Sequence, residues 1–385
     1  MRAVVKPTFY EFFSGGGMAR AGLGEQWQCL FANDFDAKKV AAYSANWGTR
    51  EILHKDVHEL ETKEMPGAPD LAWASFPCQD LSLAGNGAGL AGARSGAFWG
   101  FERALRLLKA DGRAPDLLVL ENVAGMLTSN RGMDFAHVCR AIDLLGYDFG
   151  ALVMDAVHFV PQSRPRLFIL AARRGARHDT PFSDREPDPV WTSPALRAAH
   201  ADLPPDLRAH WKWWRLPAPP IRNIDLAAIV EDEPLGVKWH TREETQQFVS
   251  RMSPANLRKL EEAKRSGRRV VGTMYRRTRF DENGAKVQRA ELRTDGVAGC
   301  LRTPGGGSSR QFLLFIDGEK LRSRLISARE AARLMGLPDS YVLPANYNDA
   351  YHLVGDGLAV PVVRHLGEFL SRLVHIKEPL LVAAE

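Results

Sequence analysis

Residues 76–85 of this 385-residue chain read FPCQDLSLAG, which sets Cys78 between a proline and a glutamine directly after the apolar run DLAWASF (70–76). A free thiol packs like a small hydrophobe, so a lone cysteine acquires a chemical role only from its surroundings. Further polar groups stand at corresponding points of other apolar runs. Glu121 and Asn122 close DLLVLEN (116–122), and Arg164 and Arg166 open RLFILAA (166–172) after the turn PQSRP. If those runs are strands of one sheet, a thiol, an acid with an adjacent amide and two guanidiniums converge on one edge. The set suits covalent chemistry on a pyrimidine. Carbon 5 of cytosine is a poor nucleophile, but a thiolate adding at carbon 6 turns the ring into an enamine whose carbon 5 can attack a methyl donor. An acid at N3 and an arginine at O2 would stabilise the charge that develops, and the base must leave its duplex for the thiol to reach it. Burial of Glu121 beside other acids would raise its pKa and let it donate a proton.

The elements that must position these groups alternate along the first 175 residues. TFYEFF (8–13), CLFAND (29–34), DLAWASF, DLLVLEN and RLFILAA read as strands, and AKKVAAYSANW (37–47) and AFWGFERALRLLKA (97–110) have helical spacing. This predicts an α/β fold, a doubly wound and mostly parallel sheet with helices on both faces, which binds ligands at the carboxyl ends of its strands. The first strand ends in FFSGGG (12–17) and opens into MARAGLG, a turn whose glycines let the backbone approach the anionic end of a ligand. Asp34 lies 17 residues beyond Gly17, near the spacing at which an acid holds ribose hydroxyls in nucleotide-binding folds. Phe35 beside it is suited to stacking on an adenine, and Asp56 in HKDVHEL to accepting from an adenine amino group. The glycine-rich stretch 81–96 suits a hinged loop closing over a displaced base, with Arg94 near its end in reach of a phosphate.

After about Arg174 the alternation stops. Proline and tryptophan crowd PFSDREPDPVWTSP (181–194) and HWKWWRLPAPP (210–220), which predicts a second, smaller, loop-rich domain. Regular structure returns at SAREAARLMGLP (327–338), where Ser327 and Glu330 make a capping box and Gly336-Leu337-Pro338 a stop, and a last helix is expected near 361–375. No apolar stretch reaches 18 residues, and MRAVVKPTFY runs straight into a strand-like segment, so a cytoplasmic protein with no membrane partner is expected. Cys29, Cys78, Cys139 and Cys300 stand far apart, which indicates neither a disulfide framework nor a metal site. The net charge of +5 is modest, but between Lys264 and Arg289 nine basic residues face two acidic ones. The positive charge is therefore gathered in one segment, as a polyanion-binding surface requires.

Four of these stretches, in their order and spacing and over nearly the whole chain, resemble the motifs of DNA (cytosine-5)-methyltransferases: FFSGGG, FPCQDLS, ENV (121–123) and QSRPR (162–166). The resemblance implies Cys78 as nucleophile, Glu121 as the N3 partner and Arg166 as the O2 partner, supported by Asn122, Gln79 and Arg164. It implies a cofactor site for S-adenosylmethionine, with S-adenosylhomocysteine as product, lined by Phe13, Ser14, Gly15, Gly17, Asp34, Phe35, Asp56 and Pro77. VGDGLAVPVV (354–363) resembles the last motif, with Ala359 at the cofactor and Leu358 where the family generally has asparagine. Asp34 stands where the family usually has the longer glutamate. The implied organisation is a catalytic and cofactor-binding domain over 1–175, a small target-recognition domain over 176–340, and a segment 341–385 returning to the first. A bacterial, restriction-modification type of enzyme is implied: a monomer acting on double-stranded DNA, with a cognate restriction endonuclease acting separately. In RRVVGTMYRRTRF (268–280), Arg268, Arg269, Arg276, Arg277 and Arg279 are expected to face the duplex. One branch of the family modifies RNA; the long middle segment and its basic stretch favour duplex DNA, whose sequence is read in a groove.

Overall fold

The computed structural model describes residues 6–77, 96–176, 183–280, 283–301 and 310–375. The chain divides into two compact units, one of residues 1–154, 165–219 and 362–385, the other of 155–164 and 220–361.

The first unit is built on a seven-stranded sheet: β1 (Thr8–Phe12), β2 (Gln28–Asp34), β3 (Ile52–His54), β4 (Leu71–Ser75), β5 (Leu117–Val123), β6 (Tyr147–Asp155) and β7 (Pro165–Arg173), in the order β3-β2-β1-β4-β5-β7-β6. The first five run parallel, and β7 enters antiparallel beside β5. The central strands are apolar on both faces because both are covered, and Phe9, Tyr10, Phe12 and the whole of Leu71–Ala74 are buried. Two helices fall on the residues read from the periodicity, α2 (Ala37–Trp47) and α3 (Ala97–Ala110), following a short α1 (Met18–Leu23) and followed by α4 (Met133–Leu145). Phe98, Phe101, Leu105 and Leu108 form one buried stripe of α3, and Phe101 packs edge-on against Phe12 at 5.0 Å. The chain runs outward from β1 to β3 and then crosses back to β4, so strand order reverses between β1 and β4. A crevice at the carboxyl ends of these two strands is the expected ligand position in such a sheet.

The tryptophan-rich stretch belongs to this unit, contrary to the boundary at 175 expected from its composition. It forms α5 (Pro194–Ala201), α6 (Pro205–Ala209) and a two-stranded ribbon of β8 (Ser183–Asp184) and β9 (Trp213–Trp214). Its rings extend the sheet's own core: Trp211 packs against Phe149 at 5.8 Å and Phe135 at 6.2 Å. The join is close. The amide of Phe149 donates to His210 and that of Lys212 to Phe149, and a Cβ at Gly150 would overlap the Lys212 carbonyl, so glycine is required there.

The second unit has helices α7 (Arg242–Ser250) and α8 (Pro254–Arg265) on one face of an antiparallel sheet of β10 (Val270–Phe280), β11 (Lys286–Arg293), β12 (Phe312–Asp317) and β13 (Lys320–Leu325), ordered β11-β10-β12-β13. Met274, Leu292, Phe312, Leu314 and Ile316 meet Phe248, Met252 and Leu260 in its core. Then come α9 (Ala328–Leu334), opened by the Ser327/Glu330 capping box, and α10 (Tyr347–Asp356). Arg324 and Glu330 form a fully buried ion pair at 2.6 Å beneath that cap. The last helix, α11 (Val360–His375), belongs from residue 362 onward to the first unit, where Phe369 meets Trp214. Among the described residues no helix is long and apolar enough to cross a membrane.

Candidate active site

At the end of β1 the chain turns sharply. Phe13 takes a left-handed φ of 56°, a conformation that costs a side-chain-bearing residue about 1–2 kcal/mol, and Gly15 and Gly17 follow at 54° and 76°. The turn is held by backbone bonds from Ser14 to Asn33 and from Gly17 to Ser14, and by the Trp47 indole N–H, which donates to Gly16 at 3.1 Å. Asp34 completes it. One carboxylate oxygen accepts from the Gly15 amide at 2.9 Å and the other from the Asp36 amide at 2.9 Å. Burial pushes the Asp34 carboxyl above its ordinary pKa despite these two bonds. Each oxygen retains a further acceptor site, so the group can hold the turn and a ligand hydroxyl together.

Two buried polar atoms beside this turn have no protein partner, the Ser14 hydroxyl and Oε2 of Glu11. The other Glu11 oxygen accepts from the Ala19 amide at 3.1 Å in the first turn of α1, and burial raises its pKa to about 8. Glu11 was not singled out in the sequence. The available signal was an acid at the centre of the apolar strand TFYEFF, where burial is costly unless the group is used. Phe35 is 68% exposed at the end of β2, an unusual position for a bare aromatic ring. Asp56 is exposed, and its carboxylate accepts from the His58 amide at 2.9 Å. Orphaned polar atoms, an unpacked ring and open space above Gly15 fit a polar ligand with a planar part.

The neighbouring strand ends carry the other groups. Ser75 of β4 pairs with Glu121 of β5, so Glu121 stands beside the strand that runs on into Phe76 and the exposed Pro77. Asn122 donates from its side chain to the Phe76 carbonyl at 3.0 Å and ties the two ends together. Glu121 is buried, and its carboxylate lies 3.2 Å from Nε of Arg166. Its partner is thus a guanidinium, where other acids were expected. Cys78, Gln79 and Arg94 lie outside the described residues.

Arg164 belongs to the second unit. Its guanidinium donates to the carbonyls of Leu301, Gly355 and Gly357 at 2.9, 2.9 and 2.7 Å, so it fastens two distant segments and acts by positioning them. Leu358 and Ala359 are both buried next to that anchor.

The basic stretch is the hairpin β10–β11. Tyr275, Arg277 and Arg279 share one face with Arg289 and Glu291 of the partner strand, and Met274 and Leu292 occupy the other, over the core. Arg277 and Arg279 both pair with Glu291, Arg277 at 3.2 Å. Arg276 lies over the Phe312 ring, and Arg269 pairs with Asp232 at 2.7 Å. Arg268 is exposed, as is Phe280 at 69%.

A family model described as C-5 cytosine-specific DNA methylase matches residues 7–372. The chain is 25% identical over 374 residues to the type II methyltransferase M.BsuFI of Bacillus subtilis, covering 96% of this chain and 74% of that protein. It is also 25% identical to M.HpaII of Haemophilus parainfluenzae, over 94% of this chain and 88% of the relative. Among solved structures, that of Schizosaccharomyces pombe (S. pombe) Dnmt2 methyltransferase aligns over 96% of this chain and 99% of its own with a TM-score of 0.56 at 19% identity, a likeness of fold.

Proposed function

Since the chain belongs to the C-5 cytosine-specific DNA methylase family, we propose that it methylates carbon 5 of a cytosine flipped out of a specific double-stranded DNA sequence, with Cys78 as the covalent nucleophile. The observation that carries this reading is the ion pair of the buried Glu121 with the half-buried Arg166 at the end of β5, beside the strand end that leads through Pro77 to Cys78 and one strand from the glycine turn. The Cys78 thiolate adds to carbon 6, and the ring electrons move toward N3, where the Glu121 carboxyl stabilises them by hydrogen bonding or proton transfer. Arg166 holds O2 and orients Glu121. Carbon 5 then takes the methyl group and loses its proton to a base, and the electron pair of that C–H bond restores the 5,6 double bond as the thiolate leaves carbon 6. Asn122 keeps the strand ends in register, and Gln79 supports the nucleophile.

S-adenosylmethionine, when bound, would supply the methyl group, with S-adenosylhomocysteine as the product. Phe13, Ser14, Gly15, Gly17, Asp34, Phe35, Asp56, Pro77 and Ala359 are the residues proposed to hold it, and the orphaned Ser14 hydroxyl and exposed Phe35 ring support that assignment. The hairpin β10–β11 meets the duplex, with Arg94 contacting a phosphate. The likeness to type II methyltransferases supports a restriction-modification role, and the same proposal includes a cytoplasmic, monomeric enzyme that protects sites cut by a separate restriction endonuclease.

The test is trapping on duplex DNA containing 5-fluorocytosine, whose fluorine cannot be eliminated. The wild-type chain should form a stable adduct and Cys78→Ala none, whereas Glu121→Gln should form it about 10²–10⁴-fold more slowly. An adduct with Cys78→Ala would sink the assignment. Bisulfite sequencing of DNA from expressing cells gives the target sequence, and unmodified DNA with methylated structured RNA would move the substrate to RNA.

A further inference from the structure

A cavity of about 900 Å³ opens between the β8–β9 ribbon and the α5–α6 pair, lined by Ser183, Asp184, Arg185, His200, Arg208 and Trp213 together with Trp211 and Lys212. Trp211 bridges to Phe149 of the edge strand β6, three strands along the sheet from β4, or roughly 15 Å at the usual strand spacing. The cavity is thus distinct from the crevice at the ends of β1 and β4.

Its chemistry has two halves. The half-buried His200 ring stands 4.9 Å from Trp211 and 4.7 Å from Trp213, two buried indoles 5.1 Å apart that back the opening, a cluster of planar rings. Burial, and secondarily the charge of Arg208, hold the His200 pKa below its ordinary value, which keeps that ring neutral near pH 7. The charged lining is Arg185, Arg208 and Lys212 against the one acid Asp184, which itself lies 3.7 Å from Arg215. Lys212 is engaged with Asp148 at 3.2 Å, but Arg185 and Arg208 have no carboxylate partner among the described residues. The two guanidiniums at one opening repel each other, and an anion between them relieves that repulsion. Guanidiniums match the geometry of phosphate oxygens in particular.

We propose that this cavity binds a nucleoside phosphate, with the base against the His200–Trp211–Trp213 cluster and the phosphate between Arg185 and Arg208. The volume lies within the range of small-ligand sites. Neither half suffices alone: the rings without the guanidiniums would take any apolar ring, and the guanidiniums without the rings any anion.

The test is calorimetric titration of the full chain, with saturating S-adenosylhomocysteine present to fill the other crevice. Uridine and guanosine monophosphates should bind, and the nucleosides and inorganic phosphate should each bind at least about tenfold more weakly. Arg185→Glu and Arg208→Glu, both at exposed positions, should each weaken the monophosphates at least about tenfold, the loss expected for charge-assisted hydrogen bonds, with unchanged thermal unfolding. A short oligothymidylate separates the sources. Tighter binding than the monophosphate, with the same sensitivity to both variants, makes the occupant a nucleic-acid strand; no gain makes it a free nucleotide. Absence of binding by either ligand, or binding indifferent to both substitutions, overturns the proposal.

Discussion

Replacing Gly17 by alanine should damage the glycine turn in two separable ways. Gly17 holds φ 76° and ψ 39°, left-handed values that cost an alanine about 1–2 kcal/mol. The added methyl would also overlap the Trp47 indole, with Cδ1 at 2.7 Å, and would meet Cε2 of Tyr43 at 2.9 Å. Neither ring is free to withdraw. The Trp47 N–H is bonded to the Gly16 carbonyl, and Tyr43 is fully buried and takes a hydrogen bond from Arg20 at 2.9 Å. Overpacking of this kind costs about 1–3 kcal/mol, so the total should be roughly 2–5 kcal/mol when strain and overlap add. Urea unfolding of Gly17→Ala, Trp47→Ala and the double variant separates the parts. The steric share should appear as a coupling of about 1–3 kcal/mol that the double variant recovers, and the backbone share should remain. Calorimetry with S-adenosylmethionine should show weakened binding in Gly17→Ala. Stability within about 0.5 kcal/mol of wild type, together with unchanged cofactor affinity, would refute the geometry of the turn and its assigned role.

Glu11 makes stability depend on pH. Its folded-state pKa is raised from 4.5 to about 8, so the folded chain binds the proton more tightly than the unfolded one. The stability this contributes is full below pH 4.5 and is lost as pH rises to about 8. Glu11→Gln should remove that fall, and a wild-type-minus-variant difference that stays constant from pH 5 to 8 would contradict it. Asp34→Ala removes two charge-assisted bonds from the turn and should weaken S-adenosylmethionine at least about tenfold in calorimetry, each such bond being worth about 1.5–3 kcal/mol; unchanged affinity would leave Asp34 a turn residue only. Glu291→Gln releases Arg277 and Arg279 from their shared carboxylate and should tighten DNA binding and steepen its salt dependence by about one unit. Titrations at several salt concentrations check this, and an unaltered slope would place the hairpin away from the duplex.

Much of the first unit was legible in the sequence because its signals are local. The strands TFYEF and LAWAS are apolar on both faces, α2 and α3 carry a clear helical period, and Ser327 with Glu330 marks a cap within four residues. The order of FFSGGG, FPCQDLS, ENV and QSRPR likewise needed no tertiary knowledge to suggest the chemistry, because the first three sit where such a strand ends and QSRPR where one begins. Whatever depended on distant partners was hidden. Composition set the tryptophan-rich stretch apart, but Trp211 is buried against Phe149, more than sixty residues earlier, and only that contact assigns it to the sheet. The resemblance gave Arg166 the O2 contact and Arg164 a supporting role without saying what it supports; in the fold Arg166 meets Glu121 and Arg164 is spent on the carbonyls of Leu301, Gly355 and Gly357. Glu291 cannot be recognised as the partner of two basic residues until the hairpin's register sets it opposite Tyr275, on the same face as Arg277 and Arg279. A sequence prescribes residue type and local period, whereas charge pairing and burial are set by through-space distance, which comes into being only when the strands take their order in the sheet.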